Sequence, residues 1–419
     1  MTSPGAHESR GDDTAQGAAS NPPLLRAGGG HDRSRVTIIE LFFDLVFVFA
    51  VTQLSHTLLA RLDAVGAVQI ALLLIAVWWV WIFTSWVTNW LDPERMAVRI
   101  CLLALMLAGL VLSSSIPAAF AEHGLAFACA YASMQVGRTL FFVWAVRDGP
   151  EVLRRNFYRI LTWFCFSAVF WLAGGFAAGG ARFALWAMAL MLEFVSPWLY
   201  FYVPGLGRSR TRDWSDVDPH HLSERCGLFV IIALGESLLV TGATFSGLAW
   251  NAATMVAFAS AFVGSVAMWW IYFDTGVQRA TDYFMHSGDP GRVARGAYTY
   301  FHLPIVAGII VCAVSDELVL AHPEHVSDAG IAAILGGPAV YLLGNALFKW
   351  MTNARRAPPL SHLAGLLLLL ALTPVALSHV FSALALGVAT TAVMVLVAAW
   401  ETIALRRPDH VSQMSLTRV

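Results

Sequence analysis

The chain has 419 residues, of which 58% are hydrophobic and 13% charged, with a formal net charge of -1. Soluble domains run at about 45–50% apolar and about 25% charged, so this composition excludes a water-soluble globular protein, and the near-neutral balance removes the electrostatic basis for nucleic-acid binding. Repeated apolar windows of roughly 20 residues point to an all-α, polytopic transmembrane helical bundle rather than a barrel.

In chain order, residues 1–34 are rich in Gly, Ala, Ser, Asp and Arg and hold no apolar core. They read as a disordered cytoplasmic tail, not a signal peptide. Twelve apolar segments follow, near 37–59, 67–90, 98–120, 124–146, 158–178, 182–203, 226–247, 252–275, 296–316, 329–350, 362–379 and 382–404. The eleventh is short and carries Pro374, so a tilted or broken span is expected there. Basic residues gather in alternate connections, such as Arg95 and Arg99, Arg147 to Arg159, Arg208 to Arg212, and Arg406 with Arg407. That bias places both termini in the cytoplasm and fits an even number of spans. The five cysteines fall in or beside apolar segments without paired spacing, which reads as buried thiols.

The two halves share a pattern. Trp78-Trp79-Val80-Trp81 resembles Trp269-Trp270-Ile271-Tyr272, Ala108-Gly109 resembles Ala307-Gly308, and Gly137-Arg138 resembles Gly344-Asn345. The order is conserved along successive segments, so the chain is read as a six-plus-six duplication in one orientation. The expected division is a tail (1–34), a first six-helix repeat (35–205), a cytoplasmic linker (206–225), a second repeat (226–405) and a cytoplasmic tail (406–419).

The chemistry of interest is polar groups inside apolar segments. Glu40 and Asp44 lie four residues apart in the first segment and share a helical face. Charges in lipid face a bundle interior or a wet cavity and are met by partners. Counted at about 1.5 Å per residue, Asp44, Arg138 and His302 fall in one layer roughly 10 Å from the cytoplasmic end. Arg138 is therefore expected to meet Asp44, either as a static ion pair that fixes packing or as a control on its charge. Glu193 and Glu236 fall about 15 Å deep, near the midplane, with no basic residue at their level. Gln53 lies opposite Glu236 in the proposed duplication, Ser237 supplies a hydroxyl, and Gly235 offers a close helix approach. Asp316 and Glu317 read as interfacial and solvated. The loop holding Asp213, Asp216, Asp218, His220 and His221 contains metal-capable groups whose spacing matches no strong site. No metal, cofactor or catalytic constellation is called for, and an enzyme is not expected.

Two stretches carry a resemblance. Glu40-Leu41-Phe42-Phe43-Asp44-Leu45 onward through Gln53-Leu54-Ser55, and His221-Leu222-Ser223-Glu224-Arg225-Cys226-Gly227 onward through Leu234-Gly235-Glu236-Ser237, resemble the two signatures of the bacterial low temperature requirement A (LtrA) proteins. Phe43, Asp44, His221, Glu224, Arg225, Gly235 and Glu236 are the motif positions matched. Cys226 stands where an aromatic residue is expected. The resemblance implies a multi-pass inner-membrane protein linked by name to growth in the cold, with no agreed substrate. Phe43-Asp44 is also similar to the first helix of potassium channels that carry a Phe-Ser-Asp motif, with Phe43 where Ser would stand.

These readings favour a transporter or permeation protein, with Glu40, Asp44, Gln53, Glu193, Glu236, Ser237 and His302 lining a path for protons or monovalent cations. The alternatives are a non-transporting scaffold, sensor or lipid-interacting protein in cold or stress adaptation, and a cation channel. A continuous wet cavity reaching Glu236 separates transport from scaffolding. On the transport reading, Glu236→Gln abolishes flux in reconstituted vesicles while folded protein stays in the membrane; normal proton and cation flux in that variant counts against it.

Overall fold

In a hydrocarbon solvent every backbone N–H and C=O must find its partner within the chain, so the apolar segments form helices. A computed structural model describes residues 24–26, 35–214, 217–274, 276–353 and 357–406. The rest of the expected amino-terminal tail, and residues 407–419 of the expected carboxy-terminal tail, lie outside them. The first six long helices are α1 (Ile38–Ala60), α2 (Ala64–Trp90), α3 (Met96–Ser115), α4 (Gly124–Ala145), α5 (Glu151–Phe176) and α6 (Gly179–Trp198). Then come α7 (Pro219–Ser246), α8 (Ala252–Phe273), the short α9 (Gly276–Met285) and α10 (Pro290–Val293), and a π-helical turn over Ala294–Tyr300. The chain continues with α11 (His302–Ala321), α12 (Asp328–Met351), α13 (Leu360–Leu377) and α14 (Ala383–Arg406).

Among the described residues, 11 helical stretches are long and apolar enough to cross a membrane. α4, at 22 residues, is of spanning length and packs between α3 and α5, but it carries buried Gln135, Arg138 and Thr139 and is less apolar. α13 stays continuous through Pro374. The connection before α7 is shorter than the sequence indicated, because Pro219 sits in the first helical turn and Asp218 caps it, accepting from the backbone N–H groups of His220 and His221. Cys129 and Cys165 are exposed on the outer faces of α4 and α5, which corrects their reading as buried thiols; Cys226 and Cys312 are buried.

Neighbour relations recur between the halves. In the first, α1 packs on α2 and α3, α3 on α4, α4 on α5, α5 on α6, and α2 on α4 and α6. In the second, α7 packs on α8 and α11, α11 on α12, α12 on α13, α13 on α14, and α8 on α12 and α14. The pairs correspond one to one if α11 to α14 stand for α3 to α6. α1 and α7 also run side by side in the same direction: Glu40 meets His221, Asp44 meets Arg225, and Phe47 packs on Phe229, so both helices advance together. The halves are unequal in burial. Trp78 and Trp79 of α2 are buried, whereas Trp269 and Trp270 of α8 are exposed. α2 fills the space between the halves, touching α6, α7 and α11 as well as its own neighbours.

The tightest helix contact is α11 on α12. Packing in lipid draws on small residues that let backbones approach. A Cβ on Gly308 would collide with the backbone N of Tyr341, and one on Gly344 would lie 2.7 Å from the backbone N of Ile305. Nothing lies within 4 Å of a Cβ on Gly137, the position that matches Gly344 in the first half. Gly308→Ala is therefore expected to lower stability by about 1–3 kcal/mol, the cost of overpacking, while Gly137→Ala stays within about 0.5 kcal/mol of wild type. Unfolding of the purified variants in detergent checks both.

Candidate functional site at the junction of the two halves

The starts of α1 and α7 set up the site. Thr37 caps α1, and its backbone N–H and hydroxyl each donate to Glu40 Oε2 at 2.9 Å, which turns that carboxylate inward. α7 is tied to the end of α2, because Asn89 donates to the Asp218 carbonyl at 2.9 Å and accepts from the Asp218 N–H at 2.8 Å. His221 and Arg225 then repeat on α7 the four-residue spacing of Glu40 and Asp44 on α1. An acidic ladder on one helix faces a basic ladder on the other.

Glu40 Oε1 lies 2.8 Å from His221 Nε2, and Glu40 Oε2 accepts from Arg26 Nη2 at 3.1 Å. A carboxylate can only accept, so His221 carries its proton on Nε2, leaving Nδ1 facing the Asn89 amide at 3.4 Å. Asp44 Oδ1 accepts from Arg225 Nη2 at 2.9 Å and from Trp81 Nε1 at 2.8 Å. Arg225 Nη2 also reaches Ser85 Oγ at 3.2 Å, and its Nη1 stands 3.9 Å from Glu40. Glu40, Asp44, His221 and Arg225 are each fully buried. Two carboxylates and two guanidiniums balance. Buried charge survives only when paired and hydrogen-bonded. The pairing is incomplete: Asp44 Oδ2, Arg225 Nε and Arg225 Nη1 have no hydrogen-bond partner among the described residues.

The cation at Asp44 is thus Arg225, not Arg138. Arg138 points into a separate network inside the first half. It donates to the Val80 carbonyl, Thr84 Oγ1 and Gln135 Oε1. Gln135 in turn donates to Glu193 at 3.1 Å. Glu193 also accepts from Tyr131 at 2.5 Å, Ser167 at 2.6 Å and Trp171 at 3.1 Å. Four donors from α4 and α5 hold this carboxylate. The second half has its own version, with Lys349 of α12 at 2.7 Å from Glu401 of α14. His302 is likewise occupied: its Nδ1 lies 2.9 Å from the Ala297 carbonyl and therefore donates, so Nε2 accepts from the Tyr272 hydroxyl at 2.7 Å. It packs among Trp78, Tyr298 and Phe348 and joins neither Asp44 nor Arg138.

Glu236 differs. It is buried, and among the described residues it makes no hydrogen bond or ion pair. The hydroxyls of Ser237 and Thr241 on the same helix also lack partners. Gly235 meets no neighbouring helix, since nothing lies within 4 Å of a Cβ there. Gln53 is half-buried on α1, Phe43 packs on Phe47 beneath Asp44, and exposed Glu224 accepts from the Val36 backbone N–H at 3.2 Å. The carboxylates expected to line one path therefore occupy three separate surroundings. The larger cavities lie elsewhere: about 490 Å³ beside Lys349 and Glu401, and about 810 Å³ both outside the start of α1 and between α7 and α9. Asp44, Glu193 and Glu236 line none of these three. Of the metal-capable loop, Asp218 is spent as a helix cap and His221 on Glu40, and Asp216 lies outside the described residues.

Residues the sequence reading missed are mostly neutral polar groups, namely the donors Trp81, Asn89, Tyr131, Gln135, Ser167 and Trp171 and the acceptor Ser85. Nothing in an apolar segment distinguishes such a group from packing. The other is Arg26, placed in the tail. Leu24, Leu25 and Arg26 instead run along the end of α2, with the Arg26 N–H donating to the Trp90 carbonyl and its buried guanidinium reaching Glu40.

The chain matches the bacterial low temperature requirement A protein (LtrA) family over residues 35–399. It is 42% identical over 380 residues to an uncharacterized protein of Rhizobium meliloti, covering 90% of this chain and 91% of that one. No solved structure matches it.

Removing one partner of a buried ion pair strands the other, at about 3–5 kcal/mol. Asp44→Asn and Arg225→Gln should each destabilise by that order, and the double variant by clearly less than their sum. Arg138→Gln should add independently to Asp44→Asn. A double-mutant cycle on unfolding in detergent reads both, and additivity of Asp44→Asn with Arg225→Gln would refute the pairing.

Proposed function

The chain belongs to the LtrA family of multi-pass membrane proteins, and from that premise we propose that it is a transporter for a cation or a proton-coupled solute, built from two six-helix repeats in the same orientation. The observation that carries this reading is the charged ladder where the repeats meet. Glu40 and Asp44 belong to one repeat, His221 and Arg225 to the other, and the pair Asp44–Arg225 keeps unused bonding capacity on both sides. Buried polar atoms left unpaired call for a water, an ion or a second arrangement. A seam of this kind serves as a gate that closes when the ladder forms and opens when the repeats part. Glu236 on α7, buried and without a partner among the described residues, is the carboxylate we assign to the moving cation or proton; Asp44 and Glu193 are instead held by fixed partners.

The matching neighbour relations in the two halves and the parallel course of α1 and α7 support the duplication. The concentration of arginines in alternate connections supports cytoplasmic termini in an inner membrane. We read the chain as a non-enzyme, and a contribution to low-temperature growth is the family-level expectation for its physiology.

One observation favours a second reading. Glu40, Asp44 and Glu193 are all met by fixed groups, as in a static scaffold or sensor whose polar residues hold helices together. Proteoliposome flux separates the two. Transport predicts saturable proton or monovalent-cation flux in the wild type and at least a tenfold loss in folded Glu236→Gln. Folded wild type without flux of any proton or cation tested supports the scaffold.

A further inference from the structure

Within the second half, α8, α11, α12 and α14 enclose a cavity of about 30 Å³, lined by Asp316 together with Ser260, Ser315, Thr390 and Thr391. Gly264 and Gly387 lie in its wall, where a Cβ would meet Thr391 Oγ1 at 3.5 Å and Val319 Cγ2 at 3.2 Å respectively. The volume suits one or two water-sized guests. Asp316 is half-buried, five residues before the end of α11 and roughly 8 Å inside it, and it lines this space.

Three features define what the cavity binds. First, the hydroxyl hydrogens are already spent. Ser315 donates to the Cys312 carbonyl at 2.8 Å, Thr390 to the Gly387 carbonyl at 2.9 Å, and Ser260 to Thr391 Oγ1 at 3.1 Å, while Thr391 itself lies 3.4 Å from the Ser260 carbonyl. Their oxygens therefore turn lone pairs, not hydrogens, toward the space. Second, Asp316 makes no hydrogen bond or ion pair among the described residues. No Lys, Arg or His lines the cavity, in contrast to Asp44 with its arginine. Third, Pro338 in the wall has no N–H, so the Ile334 carbonyl one turn earlier lacks its helical donor. Beside Met268, Cys312 and Met394, the polar lining is one uncompensated carboxylate and four hydroxyl oxygens, an acceptor-rich set that fits a hard cation. A single carboxylate is balanced by one positive charge and not by two.

We propose that this cavity is a monovalent-cation site in which Asp316 is the charged ligand and Ser260, Ser315, Thr390 and Thr391 supply neutral oxygens. The site does not depend on motion at the seam between the halves, and a protein that binds the ion without transporting it leaves the proposal standing.

The test uses the full chain in lipid nanodiscs, unfolded by heat in choline chloride with NaCl, LiCl or KCl substituted at constant ionic strength. Sodium, the first probe, is expected to raise the unfolding temperature saturably, by roughly 2–4 °C, since a ligand that binds only the folded state stabilises it. Asp316→Asn should remove the saturable shift. Thr391→Val, which retains the carboxylate, should raise the half-saturating sodium concentration at least tenfold and carries the test if Asp316→Asn does not fold. The proposal is overturned if none of the three cations differs from choline in the wild type, which would assign the cavity to a protonated carboxyl or water. A full shift surviving in Asp316→Asn, or an unchanged half-saturation in Thr391→Val, overturns it equally.

Discussion

A carboxylate cannot sit in hydrocarbon without something to meet it, and the architecture follows from how each one is met. Glu40 and Asp44 stand on α1 one turn apart, and they are answered by His221 and Arg225, one turn apart on α7. This requires α1 and α7 to lie parallel, at equal depth and in contact. Once those two helices are fixed, α2 is fixed as well. Its tryptophan Trp81 shares Asp44, its Ser85 shares Arg225, and its Asn89 holds the start of α7. The ordering of the remaining helices around this axis then differs little between the halves.

The polar interior is partitioned, not continuous. The seam holds a balanced set of charges. The first half encloses Glu193 within neutral donors of α4 and α5. The second half pairs Glu401 with Lys349 and leaves Asp316 lining a small space. Each half thus ties its fourth and sixth long helices through a buried glutamate on the sixth, by different chemistry. The difference accompanies the unequal placing of the halves, since α2 of the first half fills the middle of the molecule.

Helix positions were legible in the sequence because hydropathy is a local property, and the two motif stretches stood out because charges in apolar runs are rare. Which charge meets which was not legible. Depth counting placed Arg138 level with Asp44, but depth leaves open which way a helix turns, and α4 turns Arg138 toward Gln135 and Glu193. In a membrane both lipid and core are apolar, so the pattern of hydrophobic residues does not mark the buried face. Trp78 and Trp269 occupy matching sequence positions, one buried and the other facing outward. Asp316 was read as interfacial, and the space it lines was not legible for a related reason. Its distance from the helix end was readable, but the meeting of α8, α11, α12 and α14 around it was not.

The spacing of the seam residues along the chain bears on how the protein is made. Glu193 follows Tyr131, Gln135, Ser167 and Trp171, so the first half can complete its own polar core as it leaves the ribosome. Asp44 cannot, because its guanidinium partner is synthesised 181 residues later. Until α7 is made, the nascent α1 carries two carboxyls with Arg26 as the only ladder cation yet translated, so its polar face is completed only when the second half is synthesised.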